Sequence, residues 1–312
     1  MKVVKAMLVL VCIMAMGIDV KGRAAENEAM PNGKMQPLLE VDSTGRDWKI
    51  MYGLKVWANE WSLPVELGAG DKTYILEYES DSAITPIPAF LATYRNFFIG
   101  GSYLLDTDYE FSKQQLKNYY TDADSGEDHG FIQNIEMSGS RTEWDLNIGY
   151  FLTPNIAVSL GYKNLERDRT ETTTFENIPA IMKSIFPLSV QAPIIGISAS
   201  APVSDKFNLY GNLAYGWLSG DASYKYIKDV KTNETESNNF DVDGNYLFGE
   251  LGFGYVIPLE QKFASALTIN AGYRFQRLDM TFSNNEGDRH WGKSGDQHDS
   301  TAGFILGVGA SY

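Results

Sequence analysis

The residues able to do chemistry in this chain are few and scattered. It has three histidines, His129, His290 and His298, and one cysteine, Cys12. Carboxylates cluster instead, in Asp106-Thr107-Asp108, in Asp122-Ala123-Asp124-Ser125-Gly126-Glu127-Asp128, in Asp241-Val242-Asp243-Gly244-Asn245 and in Asp296-Gln297-His298. Carboxylates held beside an imidazole could activate a water by general acid–base chemistry. Carboxylates alternating before a glycine suit oxygen coordination of Ca²⁺, with Asp122, Asp124, Glu127 and Asp128 as the candidate ligands. Neither acidic stretch is a complete calcium loop, because the full ligand run and its closing bidentate Glu are not in place. A solvated acidic loop is the default reading of both, and no other cofactor is expected.

Charge and the N-terminus narrow the setting in which such groups would act. Lys2 and Lys5 precede an apolar run from Ala6 to Ile18, and Gly22-Arg23-Ala24 places small residues at the −3 and −1 positions of a cleavage site. The run falls short of the ~20 apolar residues of a spanning helix, so residues 1–24 read as a secretory signal. Val11 before Cys12 does not suit a lipoprotein signal. Removal of Lys2, Lys5, Lys21, Arg23 and Asp19 with that segment takes the formal net charge from −14 to −17. Such a surface repels nucleic acid and anionic substrates and gathers divalent cations or basic partners. The remaining chain would hold no cysteine, so an exported fold must rest on its own backbone pairing.

The elements that must position these groups follow from a period of two, the mark of a half-buried strand. Trp48, Ile50, Tyr52, Leu54, Val56 and Ala58 alternate with Lys49, Met51, Gly53, Lys55, Trp57 and Asn59. Ten such segments can be read, at 48–59, 84–94, 97–105, 144–152, 156–162, 195–201, 209–217, 247–257, 267–275 and 302–312. Pro86 and Pro88 weaken the second. Connections alternate between short ones of about two to six residues and long ones of about 16 to 30, the pattern of periplasmic turns and extracellular loops. Tyr94, Phe97, Tyr150, Tyr255 and Tyr312 fall near the turns, and Tyr103, Trp144, Tyr162, Trp217 and Phe275 near the loops, as two interfacial belts. A soluble β-sandwich would not sort its connections in this way. Only a closed sheet satisfies its backbone within hydrocarbon. The expected fold is all-β: a transmembrane antiparallel up-and-down β-barrel of ten strands over residues 46–312, after a periplasmic segment at 25–45.

In such a barrel the other face of each strand lines the lumen. Strict alternation places Lys49, Lys55, Arg95, Lys163, Arg167 and Arg274 there, against Asp106, Asp108, Glu143, Asp145 and Glu250. Buried charges must be paired or hydrated, and Glu250 and Arg274 could pair directly across adjacent strands. Ten strands enclose far less space than a 16-stranded porin, so a largely plugged interior is expected, with a charge-lined pore as the alternative. In the third long connection, Ile178, Ile181, Met182, Ile185 and Phe186 follow helical spacing between Asn177 and Pro187. That pattern predicts a short amphipathic helix, either presenting an apolar patch to a partner or packing on its own barrel rim.

The end of the chain, Phe304-x-Leu306-x-Val308-x-Ala310-x-Tyr312, resembles the C-terminal strand of bacterial outer-membrane proteins. That resemblance implies insertion by the barrel-assembly machinery into a membrane of outer-membrane lipid and lipopolysaccharide. Trp144-Asp145-Leu146-Asn147-Ile148 and Pro193-Ile194-Ile195-Gly196-Ile197, with the order of turns and loops, resemble the ten-stranded omptin proteases. The resemblance implies an Asp-x-Asp at the second loop, which Asp106-Thr107-Asp108 matches, and an Asp-x-His at the fourth. The fourth loop, at 219–243, contains no histidine, and Asp296-Gln297-His298 lies on the fifth. The expected function is therefore a non-enzymatic surface-exposed scaffold or binding protein of the cell outer membrane, its surface ligand unknown. A narrow porin-like channel and an omptin-like protease are the alternatives.

Overall fold

The computed structural model describes residues 48–69, 72–121, 128–176, 178–229, 234–261, 264–283 and 296–312. The predicted signal at 1–24 and the segment at 25–45 lie outside these residues. Thirteen strands run in chain order: β1 (Trp48–Ala69), β2 (Lys72–Glu79), β3 (Ala83–Tyr94), β4 (Phe97–Glu110), β5 (Gln114–Thr121), β6 (Asp128–Thr153), β7 (Ile156–Phe175), β8 (Ile178–Ile185), β9 (Leu188–Pro202), β10 (Phe207–Asp229), β11 (Glu234–Gln261), β12 (Ala264–Ser283) and β13 (Asp296–Ser311). Among the described residues there is no helix.

Ten of these strands close a ring. β1, β3, β4, β6, β7, β9, β10, β11, β12 and β13 each pair antiparallel with the next, and β13 returns to β1. The chain ends close it, with Ile50 N donating to Tyr312 O at 3.1 Å and Tyr312 N to Ile50 O at 2.8 Å. All ten predicted segments lie in these ten strands. β2, β5 and β8 are additions at the loop end, on β1, on β6 and between β7 and β10.

The short connections are tight because their residues allow it. Arg95 takes a left-handed conformation with φ of 54° in the two-residue turn Arg95-Asn96, and its guanidinium lies 5.2 Å from the Tyr94 ring. It sits exposed on the turn, not in the lumen where alternation placed it, because the hairpin reverses the chain at that residue.

The long connections are a second correction. β6 has 26 residues and β11 has 28, where roughly 9–11 tilted residues cross a membrane. β10 and β11 stay paired from Phe207↔Tyr255 to Asp229↔Glu234, through the described residues of the stretch expected to be the fourth loop. Most of each supposed loop is strand. Asp241 and Asp243 accordingly sit exposed on a strand with Val242 buried between them, not in a calcium-type loop. Asp122, Asp124 and Glu127 lie outside the described residues, and of Asp128 only its place at the start of β6 is described.

The predicted helix is also a strand. β8 pairs through Thr170↔Ile185 with β7 and through Lys225↔Ile185 with β10. One or two isolated helical turns are marginal, whereas two strand edges offered ready ladders to a segment rich in β-branched residues. Ile181 is exposed and Met182 and Ile185 are half-buried, while Phe186 is packed inside against Phe282 with ring centroids 5.6 Å apart.

Two zones stack along the barrel. Toward the turns, large apolar side chains point outward, among them Phe97, Ile148, Leu160, Leu251 and Phe304, with both aromatic belts on the same face. Toward the loops the phase inverts. On β10 the outward Leu213, Tyr215 and Trp217 give way to outward Ser219 and Asp221, while the inward Leu218 and Ala222 are buried. Leu188, Val190, Val242, Leu278 and Met280 fill the same interior, and Trp61, Leu63, Tyr109, Ile135 and Met137 fill it beside β1, β4 and β6. Gly139 has no side chain because a Cβ would stand 2.8 Å from the Trp61 ring.

Candidate functional site in the barrel interior

Polar chemistry concentrates where the two zones meet inside the ring. β11 and β12 bring Glu250 opposite Arg274, and the carboxylate accepts from the Arg274 guanidinium at 2.8 Å and from Lys55 Nζ of β1 at 2.9 Å. The direct Glu250–Arg274 pair expected from adjacent strands is formed. Arg274 lies over Phe248 at 5.0 Å and over Trp57 at 5.5 Å. Farther toward the loops Glu143 pairs with Arg141 and Lys163 and accepts from Gln276 Nε2 at 3.2 Å. Arg141 also donates to Thr301 Oγ1 at 2.5 Å and to Gln276 Oε1 at 2.7 Å. Arg167 pairs with Asp299 and lies over the Trp61 ring at 5.3 Å. Asp145 accepts from Ser102 Oγ at 2.5 Å and from Asn147 Nδ2 at 2.9 Å.

Seven of the eleven predicted lumen residues are thus inside this network: Lys55, Glu143, Asp145, Lys163, Arg167, Glu250 and Arg274. Lys49 faces inward at the turn end, half-buried, away from these pairs. Asp106 and Asp108 are exposed on the outer face, because a β-bulge between Leu104 and Thr107 shifts the alternation and buries Thr107 and Tyr109 instead. Arg95 lies in its turn. Sequence reasoning missed Arg141, Gln276, Asp299 and Thr301, which are between 0% and 3% exposed. The signal was present for all four, since the alternation continues unbroken from Glu143 to Arg141, from Arg274 to Gln276, and from Ile305 back through Gly303 to Thr301 and Asp299.

On the loop-end side of the network the interior closes. Trp57, Trp61, Arg141, Arg167, Leu188, Val190, Leu278 and Thr301 are each at most 2% exposed. Buried atoms without a partner cluster here too, at Trp57 Nε1, Trp61 Nε1, and Arg167 Nε and Nη2. Toward the turns the inward residues open, and a cavity of about 490 Å³ runs among Met51, Ser102, Asn147, Asn212, Asn270 and Arg274.

Titration is shifted at the loop end as well. Burial pulls the Arg169 guanidinium down to about 10, helped by Arg167 and opposed by Glu171, and Arg169 stacks on Phe186 at 4.8 Å. Burial pushes the Glu171 carboxyl up, although Arg169 and a hydrogen bond from Thr173 pull it down. Burial also acts to raise Asp279, but hydrogen bonds from Arg277 and His298 outweigh it and hold the carboxyl below its ordinary value.

The protease-like constellation is not assembled among the described residues. His298 Nδ1 lies 2.5 Å from Asp279 Oδ1, on the exposed face of β12 and β13. Asp106 and Asp108 are on β4, separated from β13 in the ring by β3 and β1.

A closed ring of ten antiparallel strands, apolar outward and polar inward over one zone, is the fold of the outer-membrane β-barrels. It resembles the outer membrane protease OmpT from Escherichia coli at a TM-score of 0.50, with 15% identity over 85% of this chain and 96% of that one. The translocator domain of the autotransporter NalP from Neisseria meningitidis aligns at 0.42, with 11% identity over 86% and 90%. Ail of Yersinia pestis aligns at 0.28, with 11% identity over 84% and 99%. By sequence the chain matches no family profile and no curated relative. A likeness at this level of identity is one of fold alone, so the fold defines the class and leaves the role to the site.

Proposed function

We propose that the protein resides in the outer membrane as a non-enzymatic barrel closed to through-flow, whose β-structured extension is its working surface. The observation that carries this reading is the filled interior beyond Trp57, where apolar side chains and paired ions leave the inward positions dry. In this reading the turns face the periplasm, the apolar band contacts outer-membrane lipid and lipopolysaccharide, and the barrel-assembly machinery reads the C-terminal strand. The extension then stands clear of the membrane with a polar, acidic outer face. Glu166, Ser189, Asp221 and Asp241 lie in one cross-strand row and line a groove of about 720 Å³. Such a face favours cationic partners over anionic ones.

The test is conductance of the refolded full chain in planar bilayers. The expected result is no unit conductance at high salt. Steady single-channel steps would overturn the reading in favour of the narrow channel, for which the cavity at the turn end is the supporting observation. The protease alternative has its own check. No cleavage of a dibasic peptide is expected, and cleavage abolished by Asp106→Ala would revive that alternative.

A further inference from the structure

The barrel wall is unlaced at one place. β3 and β4 pair only from Ala89↔Ser102 to Tyr94↔Phe97, next to their turn. The wall joins again at the loop end, where Asp81 N donates to Glu110 O at 2.7 Å and Ser80 bridges Phe111. Between these points residues 82–88 and 103–109 share no backbone pairing, and on the inner face Asn59 ties the two edges by donating to Thr85 Oγ1 at 3.0 Å and accepting from Tyr109 OH at 2.8 Å. Register is the same at both ends of the gap. Neither strand is frayed, since β3 pairs with β1 from Ala83 to Tyr94 and β4 pairs with β6 from Phe97 to Glu110 around its bulge. The cause lies in the sequence. Pro86 and Pro88 have no N–H to donate, and the β4 bulge between Leu104 and Thr107 makes the facing edge irregular over the same stretch.

The seam starts at the loop-end belt, where Tyr103 and Leu105 point outward among the exposed apolar side chains, and runs on to the outward Asp106 and Asp108, so its turn-ward end is the part that meets hydrocarbon. An open strand edge is not tolerated facing hydrocarbon unless something occupies it or it lines a cavity. A cavity is there. The interior space of about 490 Å³ reaches the seam at Ile87 and Leu104 and continues along the paired part of the same two strands, at Ala89 and Leu91 of β3 and Gly101 and Ser102 of β4. Its size falls in the roughly 300–1,000 Å³ range of small-molecule sites. At the seam itself Ile87 and Leu104 pack on Trp57 and Ile305, while the charged groups of the lining, Lys55, Glu143, Asp145, Lys163 and Arg274, come from β1, β6, β7 and β12.

We propose that this seam is a lateral portal, through which a hydrocarbon chain of a membrane amphiphile reaches the interior cavity from the outer leaflet. Closure along the barrel axis and access through the wall are separate properties. The portal therefore goes beyond the surface role above, and bilayer conductance does not bear on it.

The experiment refolds the full chain into phosphatidylethanolamine–phosphatidylglycerol vesicles containing a phospholipid with a diazirine on one acyl chain, then maps photo-adducts by peptide. Ile87 and Leu104 are only 1% and 3% exposed, so a chain remaining on the outer surface does not reach them. Adducts on both are expected, alongside adducts on the outward Phe90 and Leu105. The double variant Pro86→Val, Pro88→Val restores the missing donors. It is expected to lose the inward adducts and keep the outward ones. Adducts confined to Phe90 and Leu105 in the unaltered protein would overturn the proposal, and this arm holds even if the double variant does not fold. Inward adducts that persist in a folded double variant would overturn the seam as their route.

Discussion

The two halves of this barrel are built from the same strands and solve opposite problems. In the zone toward the turns, apolar side chains face outward and polar ones face an open interior. In the zone toward the loops, Asp221, Asp241 and Ser189 face outward, while Leu218, Val242 and Val190 are buried at 1–5% exposure. The β10–β11 ladder runs through both zones without a break at the boundary. Backbone pairing is therefore indifferent to the solvent, and the side-chain phase records which solvent each zone meets. In lipid the apolar face is stable outside. In water each buried Val or Leu contributes about 1.5–3 kcal/mol by leaving it, so the apolar set turns inward and the interior becomes a dry core.

That contrast sets how much substitutions should cost. Trp61 lies at the heart of the dry zone against Tyr109 and Phe111, each 5.2 Å away. Trp61→Ala is expected to cost about 3–5 kcal/mol, measured as a lowered urea midpoint of the protein refolded in vesicles. Asp299→Ala leaves Arg167 buried with no carboxylate partner and should cost a similar ~3–5 kcal/mol. A midpoint unchanged by both would mean that the loop-end zone adds nothing to barrel stability. Gly139→Ala presses a Cβ onto the Trp61 ring and should cost about 1–3 kcal/mol, read as faster hydrogen exchange in β6 and β7 above the belt. In the open zone the same kind of change should be mild. Lys55→Met leaves Glu250 still held by Arg274, so a loss of only about 1 kcal/mol is expected. A penalty as large as that of Asp299→Ala would show that the lower interior is as dry as the upper.

The smallest effect is a pH dependence at the exposed rim. Asp279 is held below its ordinary value of 3.8, so its contribution is present above that value and is lost as pH falls through the depressed one. Exchange at the loop ends of β12 and β13 should quicken over that acid range, and Asp279→Asn should flatten the response. An unchanged profile in the variant would assign the acid sensitivity to another carboxylate.

Much of the membrane zone was legible because lipid enforces a simple rule over short segments. The strands beginning at Trp48, Phe97 and Ile156 start at the residues their alternation marks, and the terminal run to Tyr312 closes the ring. The Glu250–Arg274 pair was visible for the same reason, since both residues sit inward at matched positions on consecutive strands. Asp106 and Asp108 were misplaced because a single extra residue in β4 flips every later side chain, and a bulge leaves no mark in a two-residue period. The segment 178–185 was read as a helix because its apolar spacing fits a turn of 3.6 residues. Its actual state depended on β7 and β10 offering free edges, which no local pattern records. The extension was taken for loops because its outward residues are the polar ones. The inverted alternation from Trp217 to Leu218 onward was the overlooked signal.

By itself, then, the sequence determined the ten-strand ring and its outward apolar belts, because hydrocarbon penalises any unpaired backbone group or outward charge. Only the tertiary structure decided which charges meet, since Arg141, Asp299 and Thr301 come from strands far apart in the chain. It alone also showed the dry plug beneath the loops and the unlaced seam at Pro86 and Pro88. Those features arise from registers between strands, and register is set by the closure of the whole ring.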